Sequence, residues 1–212
     1  MAISQASIEA SDKWDEVRAL YECYDYHNCA AVLTIEFPNL FSEICGVLMS
    51  FRFTDQQVLA PGGNESQIPK VFSEVLRPLG WRERQFTTKL LVNDKPVSSD
   101  THKVDYVKEQ VAFDLEWNSK DQTFDRDLFA FRTFYQYRAI AAAVLVTRSN
   151  DLDPYFASLG RTIDKYGAER LLKSKYGAST THLRKLLPRL DAGRTGGCPV
   201  LAIGITQKQR EG

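Results

Sequence analysis

From residue 111 to residue 117 the chain alternates without a break: Val111, Phe113, Leu115 and Trp117 at one parity, Ala112, Asp114 and Glu116 at the other. A period of two is the mark of an extended strand, whose successive side chains leave opposite faces. One face is apolar and the other carries acids, so this strand is expected to bury one side and present carboxylates on the other. Residues 104–108 are strand-like as well, and Glu109 with Gln110 supplies a turn between the two. If the chain returns antiparallel there, Asp105 stands opposite Asp114, and directly opposed residues share a face. Asp105, Asp114 and Glu116 then converge on one surface of a hairpin.

Like charges facing each other across a strand pair destabilise it by roughly 0.2 to 1 kcal/mol per pair. A divalent cation removes that cost. Mg²⁺ prefers oxygen ligands and is usually held by one or two carboxylates together with water and substrate phosphate. Such a site suits phosphodiester hydrolysis, because the ion acidifies a bound water and neutralises charge growing on phosphate oxygens, while a carboxylate outside the coordination sphere accepts a proton. The plainer alternative is a solvated sheet face, which is what D-x-E on a strand often is.

The 212 residues suit one domain spanning 1–212, and 43% hydrophobic with 25% charged residues is ordinary for a globular chain. No apolar run is long enough to span a bilayer, and the first sixteen residues lack the basic start and apolar centre of a signal peptide. A cytoplasmic protein with no membrane partner is expected. Cys23, Cys29, Cys45 and Cys198 form no C-x-x-C pair and sit in mostly apolar surroundings, so reduced core thiols are expected. The net charge is zero but segregated: residues 1–60 carry 3 Lys and Arg against 9 Asp and Glu, whereas residues 161–212 carry 11 against 4. A basic C-terminal side backed by an acidic N-terminal one is a pattern that a DNA-facing surface gives, and one that a basic tail gives without function.

In chain order, Ser11 is a candidate cap for a first helix, and the apolar run at residues 29–37 reads as a strand. Asn39 is a candidate cap for a helix whose apolar positions are Leu40, Ile44, Val47, Leu48 and Phe51. Pro61, Gly62, Gly63 and Asn64 mark a loop, too sparse in glycine for a phosphate-binding fingerprint. A helix is predicted over 67–79 with Gly80 closing it, then a strand, then a loop at residues 94–100 ahead of the hairpin. Asp121 or Thr123 is expected to cap a helix reaching Tyr137. Phe124, Leu128, Phe131 and Tyr135 give it one stripe, and Phe129 with Phe134 a second surface, one facing the sheet and the other suited to a partner subunit. Residues 139–147 read as a central strand, 151–192 as helices and loops with KYGA occurring at Lys165 and Lys175, and a glycine-rich turn at 193–197 delivers a last strand.

Strand, helix and strand with acids on a central hairpin is the layout of an α/β/α core. The order D-x8-D-x-E at Asp105, Asp114 and Glu116, with V-A-F before the second acid, resembles the PD-(D/E)XK nucleases, and within them the BglII/BstYI family of type II restriction endonucleases. The similarity extends over residues 29–44, 59–84, 104–120 and 199–206. It implies a restriction-endonuclease-like α/β fold with a central mixed sheet, and a Mg²⁺-dependent endonuclease that cuts double-stranded DNA as a homodimer at a short palindrome with a GATC core. A cognate DNA methyltransferase would act on the same sequence without a stable complex. Asp105 and Asp114 would be metal ligands, and Glu116 would fill the third position as ligand or general base. Glu116 departs from the usual Lys, and from the Gln of the nearest relatives, while Asp114 is shorter than the usual Glu. Glu83 is a candidate further catalytic group. Asn118, Ser119, Lys120, Arg148, Ser179, Thr180 and Thr181 fall where relatives place DNA-contacting residues. A structure-specific repair nuclease or resolvase of the same fold, and a DNA-binding module without catalysis, are the competing readings. Three acids beside phosphates argue against the last.

Overall fold

A computed structural model describes residues 3–61, 67–164 and 166–211; Gly62, Gly63, Asn64 and Lys165 lie outside the described residues. The elements in chain order are α1 (Gln5–Leu20), β1 (Glu22–Tyr26), α2 (Cys29–Glu36), α3 (Pro38–Ser50), α4 (Asp55–Leu59), α5 (Gln67–Leu76), β2 (Arg82–Arg84), β3 (Thr87–Val92), β4 (Lys95–Asp100), β5 (Val104–Lys108), β6 (Val111–Glu116), α6 (Thr123–Gln136), β7 (Ala142–Arg148), α7 (Leu152–Ser158), β8 (Arg161–Ile163), β9 (Glu169–Leu171), α8 (Leu172–Lys175), α9 (Leu183–Asp191) and β10 (Val200–Ile205). The main sheet runs β1-β10-β7-β6-β5-β2, with β10, β7 and β6 parallel and the other pairs antiparallel. It is the mixed sheet that the resemblance implies.

Helices cover both faces. Val111, Phe113, Leu115 and Trp117 pack with Val144, Val146, Leu201 and Ile203 against α1, α2, α3 and α5. On the opposite face Ala112, Ala143, Leu145, Val200 and Ala202 meet Phe124, Leu128 and Phe131 of α6 and Leu183, Leu186 and Leu190 of α9. The continuous apolar run at residues 142–148 is buried along its whole length, as a central strand covered on both sides requires. At Gly204 of β10 a Cβ would come within 2.3 Å of the Leu183 side chain, so only glycine lets the start of α9 lie this close to the sheet.

Several elements differ from the sequence expectation. Residues 29–36 form helix α2 and not a strand: left-handed His27 and Asn28 turn the chain, the Asp25 carboxylate accepts the Ala30 N–H at 3.3 Å, and Cys29 and Leu33, four apart, point inward. A short apolar run has no periodicity to decide between the two. The first helix starts at Gln5, because the Ser4 hydroxyl and not Ser11 accepts the Ser7 N–H. Helix α3 opens on Pro38 with no side-chain cap, and Asn39 lies inside it. Helix α5 ends at Leu76, and Gly80 at φ 97° closes it with Trp81 N–H on the Leu76 carbonyl and its own N–H on the Arg77 carbonyl. The expected loop at 94–100 is largely strand β4, paired with β3 through left-handed Asn93 and Asp94, which form a two-residue hairpin turn. A further small hairpin, β8–β9, lies within the region read as helices and loops.

Helix α6 has one buried side. Phe124, Leu128, Phe131 and Phe134 are buried, and Phe134 meets Phe86 edge-on at 4.1 Å, so it does not join Phe129 in a second surface. Phe129 is 51% exposed. All four cysteines are free thiols, and Cys29, Cys45 and Cys198 are buried. Among the described residues no single helix is long and apolar enough to cross a membrane.

Candidate active site

The hairpin forms in the expected register. Tyr106 pairs with Phe113 and Lys108 with Val111, so Asp105 continues the ladder opposite Asp114, and Glu109 takes the turn at φ 50°. The acidic face differs from expectation in being roofed: Asp114 is 2% exposed and Glu116 8%, because α6 lies across that side of the sheet. Asp105, nearer the edge, is half-buried.

A fourth acid joins them. Asp127 stands on the sheet-facing stripe of α6 among Phe124, Leu128 and Phe131 and is 1% exposed. Burial raises its carboxyl well above the ordinary range, and the charges of Glu116 and Asp105 raise it further. Burial likewise raises Asp114, followed by the charges of Asp127, Asp105 and Glu116. Glu116 is pushed up to about 7, chiefly by burial and then by Asp105, against a hydrogen bond from Ser119 that lowers it. The protein supplies little compensation. Asp114 Oδ1 accepts the Leu115 N–H at 3.1 Å, whereas Glu116 Oε2 and both carboxylate oxygens of Asp127 are buried with no hydrogen-bond partner. Orphaned buried oxygens of this kind need a ligand or a proton.

Among the described residues no group of three or more His, Cys, Asp or Glu side chains is already placed to hold a metal ion. An open set of one or two carboxylates completed by water and phosphate is the arrangement that suits Mg²⁺, and the all-oxygen donor set with its orphaned atoms fits such an ion. Beside the acids lies a cleft of about 630 Å³, whose lining includes Asp105, Glu116, Asn118 and Ser119 together with Lys70, Ser73, Arg77 and Lys175. Carboxylates and cations lining one cleft can accommodate a phosphate together with a metal ion.

The two segments expected to touch DNA are joined. Thr181 N–H donates to the Ser119 carbonyl and Asp121 N–H to the Ser179 carbonyl, both at 3.0 Å, around a bridge between Lys120 and Thr180. Residues 118–121 and 179–181 thus form one platform at the end of β6. Lys120 and Ser179 are exposed on it and Asn118 and Ser119 are half-buried, whereas Thr180 and Thr181 point inward. Asn118 Oδ1 is buried without a partner.

Arg148 is not at the surface. It is 1% exposed, and its Nε donates to the Trp117 carbonyl at 2.7 Å and its Nη2 to Thr180 Oγ1 at 2.6 Å. The rings of Phe156 and Tyr176 lie 5.5 and 5.0 Å from the guanidinium, and burial lowers its pKa to about 10. Arg148 is a strut between the end of β6 and the platform. Glu83 is exposed on β2, where Lys103 pairs with it at 2.8 Å, and it does not line the cleft.

Asp127 is the member of this acidic group that reasoning on the sequence missed. Its signal was an acid three residues after Phe124 and one before Leu128, on a stripe otherwise apolar. No curated protein matches the chain. A family model described as "Restriction endonuclease BglII/BglIII" matches residues 21–205, which include the whole hairpin, the platform and every strand of the main sheet. With four carboxylates on an α/β/α core of this topology and a match over nearly its full length, the chain belongs to the BglII/BglIII family of restriction endonucleases.

Proposed function

We propose that this restriction endonuclease depends on Mg²⁺ and cuts double-stranded DNA at a palindrome with a GATC core, as a homodimer. The observation that carries the cation requirement is the set of buried carboxylate oxygens on Glu116 and Asp127 that no protein donor satisfies, Glu116 also lining the cleft. Asp105 and Asp114 would hold the ion, with Glu116 either a third ligand or the general base beside it; the ion when bound supplies an acidified water and neutralises charge on the phosphate.

The chain's own groups do the rest. Glu116 Oε2, with no hydrogen-bond partner and a carboxyl near 7, is the atom suited to accept a proton at neutral pH. Lys70 and Arg77 in the cleft orient a phosphate. Asn118, with a free buried Oδ1, and Lys120, exposed beside it, are placed to meet base edges, Asn for adenine and Lys for guanine or phosphate. Ser179 approaches from the other strand of the platform. In this reading Thr180, Thr181 and Arg148 shape the platform from within, and Glu83 stays outside the reaction. Phe129, exposed on α6, marks that helix face for the two-fold partner that a palindrome requires.

Incubating plasmid DNA with the protein and Mg²⁺ tests the whole reading. Discrete fragments with GATC-containing termini are expected. Nicking confined to branched or damaged structures would assign a repair nuclease or resolvase, and a gel shift without cutting a binding module. Termini lacking a shared GATC would overturn the sequence specificity and leave the nuclease standing. Light scattering that finds a monomer even on DNA would refute the dimer. The companion methyltransferase is expected to protect the same termini in the host.

A further inference from the structure

We propose that Asp127 is a fourth carboxylate of the divalent-cation site, entering it from α6 and not from the D-x8-D-x-E hairpin; this rests on the metal-dependent reading above. Three observations lead there. Asp127 shares the sheet-facing stripe of α6 with Phe124, Leu128 and Phe131, and these pack with Ala112, which is on the same face of β6 as Asp114 and Glu116. The side chain is fully buried, yet neither oxygen has a hydrogen-bond partner, and among the described residues no cation forms an ion pair with it. No basic group bonds to it: Arg189 and Arg194 pair with Asp125, two residues earlier and less buried, and Arg126, which acts on it only through its charge, is exposed.

A buried carboxylate that serves the fold caps a helix or pairs with a cation, since leaving it unmade is costly. Asp127 does neither. The charges of Glu116 and Asp105 bear on it more than the opposing charge of Arg126, and it in turn bears on Asp114. Buried acids whose charges bear on one another are stable only when a cation or protons join them. Asp127 therefore raises the demand for a divalent ion and gives acceptor oxygens for it or its coordinated water on the helix side, opposite the cleft from which DNA approaches.

The test is Mn²⁺ binding by the full chain, read as loss of the electron paramagnetic resonance signal of the free aqueous ion, together with melting temperature in EDTA. The native protein is expected to show a saturable Mn²⁺ site. Asp127→Asn is expected to bind Mn²⁺ at least tenfold more weakly and to melt higher than native in EDTA, because removing the charge relieves repulsion. Asp127→Ser is expected to follow it. Mn²⁺ affinity within twofold of native in these variants would overturn the proposal while leaving the metal-dependent reading intact. So would a lower melting temperature or failure to fold in EDTA, which marks a carboxylate the fold needs. A native protein with no saturable Mn²⁺ site would overturn both.

Discussion

Glu116→Gln tests the electrostatics of the site without any need to know its DNA sequence. A carboxyl ordinarily near 4.5 is held at about 7 by burial and by Asp105, so the folded state disfavours its ionised form. Folding then takes up protons between those values, and stability falls as pH rises from about 4.5 to about 7. The gap corresponds to about 3 kcal/mol once the pH is above both values, and to about 1 kcal/mol at pH 5. Because Glu116 is 8% exposed, solvent screening takes little from that figure. Gln keeps the shape and drops the charge. Urea unfolding in EDTA should therefore find Glu116→Gln more stable than native by about 2 to 3 kcal/mol at pH 8, and nearer to it at pH 5. Millimolar Mg²⁺ should close the gap at pH 8 by stabilising the native carboxylate. An effect of the same size at both pH values, or a less stable variant at pH 8, would refute the reasoning.

Asp114→Asn should abolish plasmid cleavage while leaving the circular dichroism spectrum and gel-shift binding of the cognate duplex unchanged; retained full activity would remove Asp114 from the site. Arg148→Met keeps an apolar stem against Phe156 and Tyr176 but loses the bonds to Trp117 and Thr180, each of the class worth about 1.5 to 3 kcal/mol with a charged donor. Denaturant unfolding should show a loss of about 3 kcal/mol, with amide exchange rising first at residues 179–181, and exchange unchanged there would contradict the strut. Lys185→Ala removes a half-exposed charge only loosely held by Asp121 at 3.8 Å, so affinity should drop alike for all DNA sequences and the salt slope should flatten by about 1. A loss confined to one sequence would show it reading bases.

The hairpin was legible in the sequence because strict alternation fixes strand, face and register together. Val111 to Trp117 cannot place Asp114 on the acidic face without also placing Phe113 in the core. The central strand was legible for a related reason, since the continuous apolar run at residues 139–147 suits a strand buried on both faces, although the strand itself begins three residues later, at Ala142. Residues 29–36 have the same kind of run and became a helix. The difference lies in their surroundings, the left-handed turn at His27 and Asn28, the helix start at Pro38, and the pairing of β10 by β1 and β7, none of which is a property of the run itself.

The site divides along the same line. Asp105, Asp114 and Glu116 lie within twelve residues of one another, so local periodicity brings them together, whereas Asp127 meets them only through the packing of α6 across β6. Arg148 shows the converse. The chain ends a buried strand on an arginine, and sequence alone offers a surface contact as its natural use, because nothing local reveals that Trp117 and Thr180 turn their oxygens toward it. That placement gives the platform a physical basis. Segments 118–121 and 179–181, some sixty residues apart, are tied by two backbone hydrogen bonds and by one buried guanidinium that also holds the end of β6. A change in the platform on meeting DNA would therefore be felt at Trp117, the residue next to Glu116. If the platform reads bases and Glu116 accepts the proton, the two are linked through the Arg148 guanidinium, the Thr180 hydroxyl and the Trp117 carbonyl.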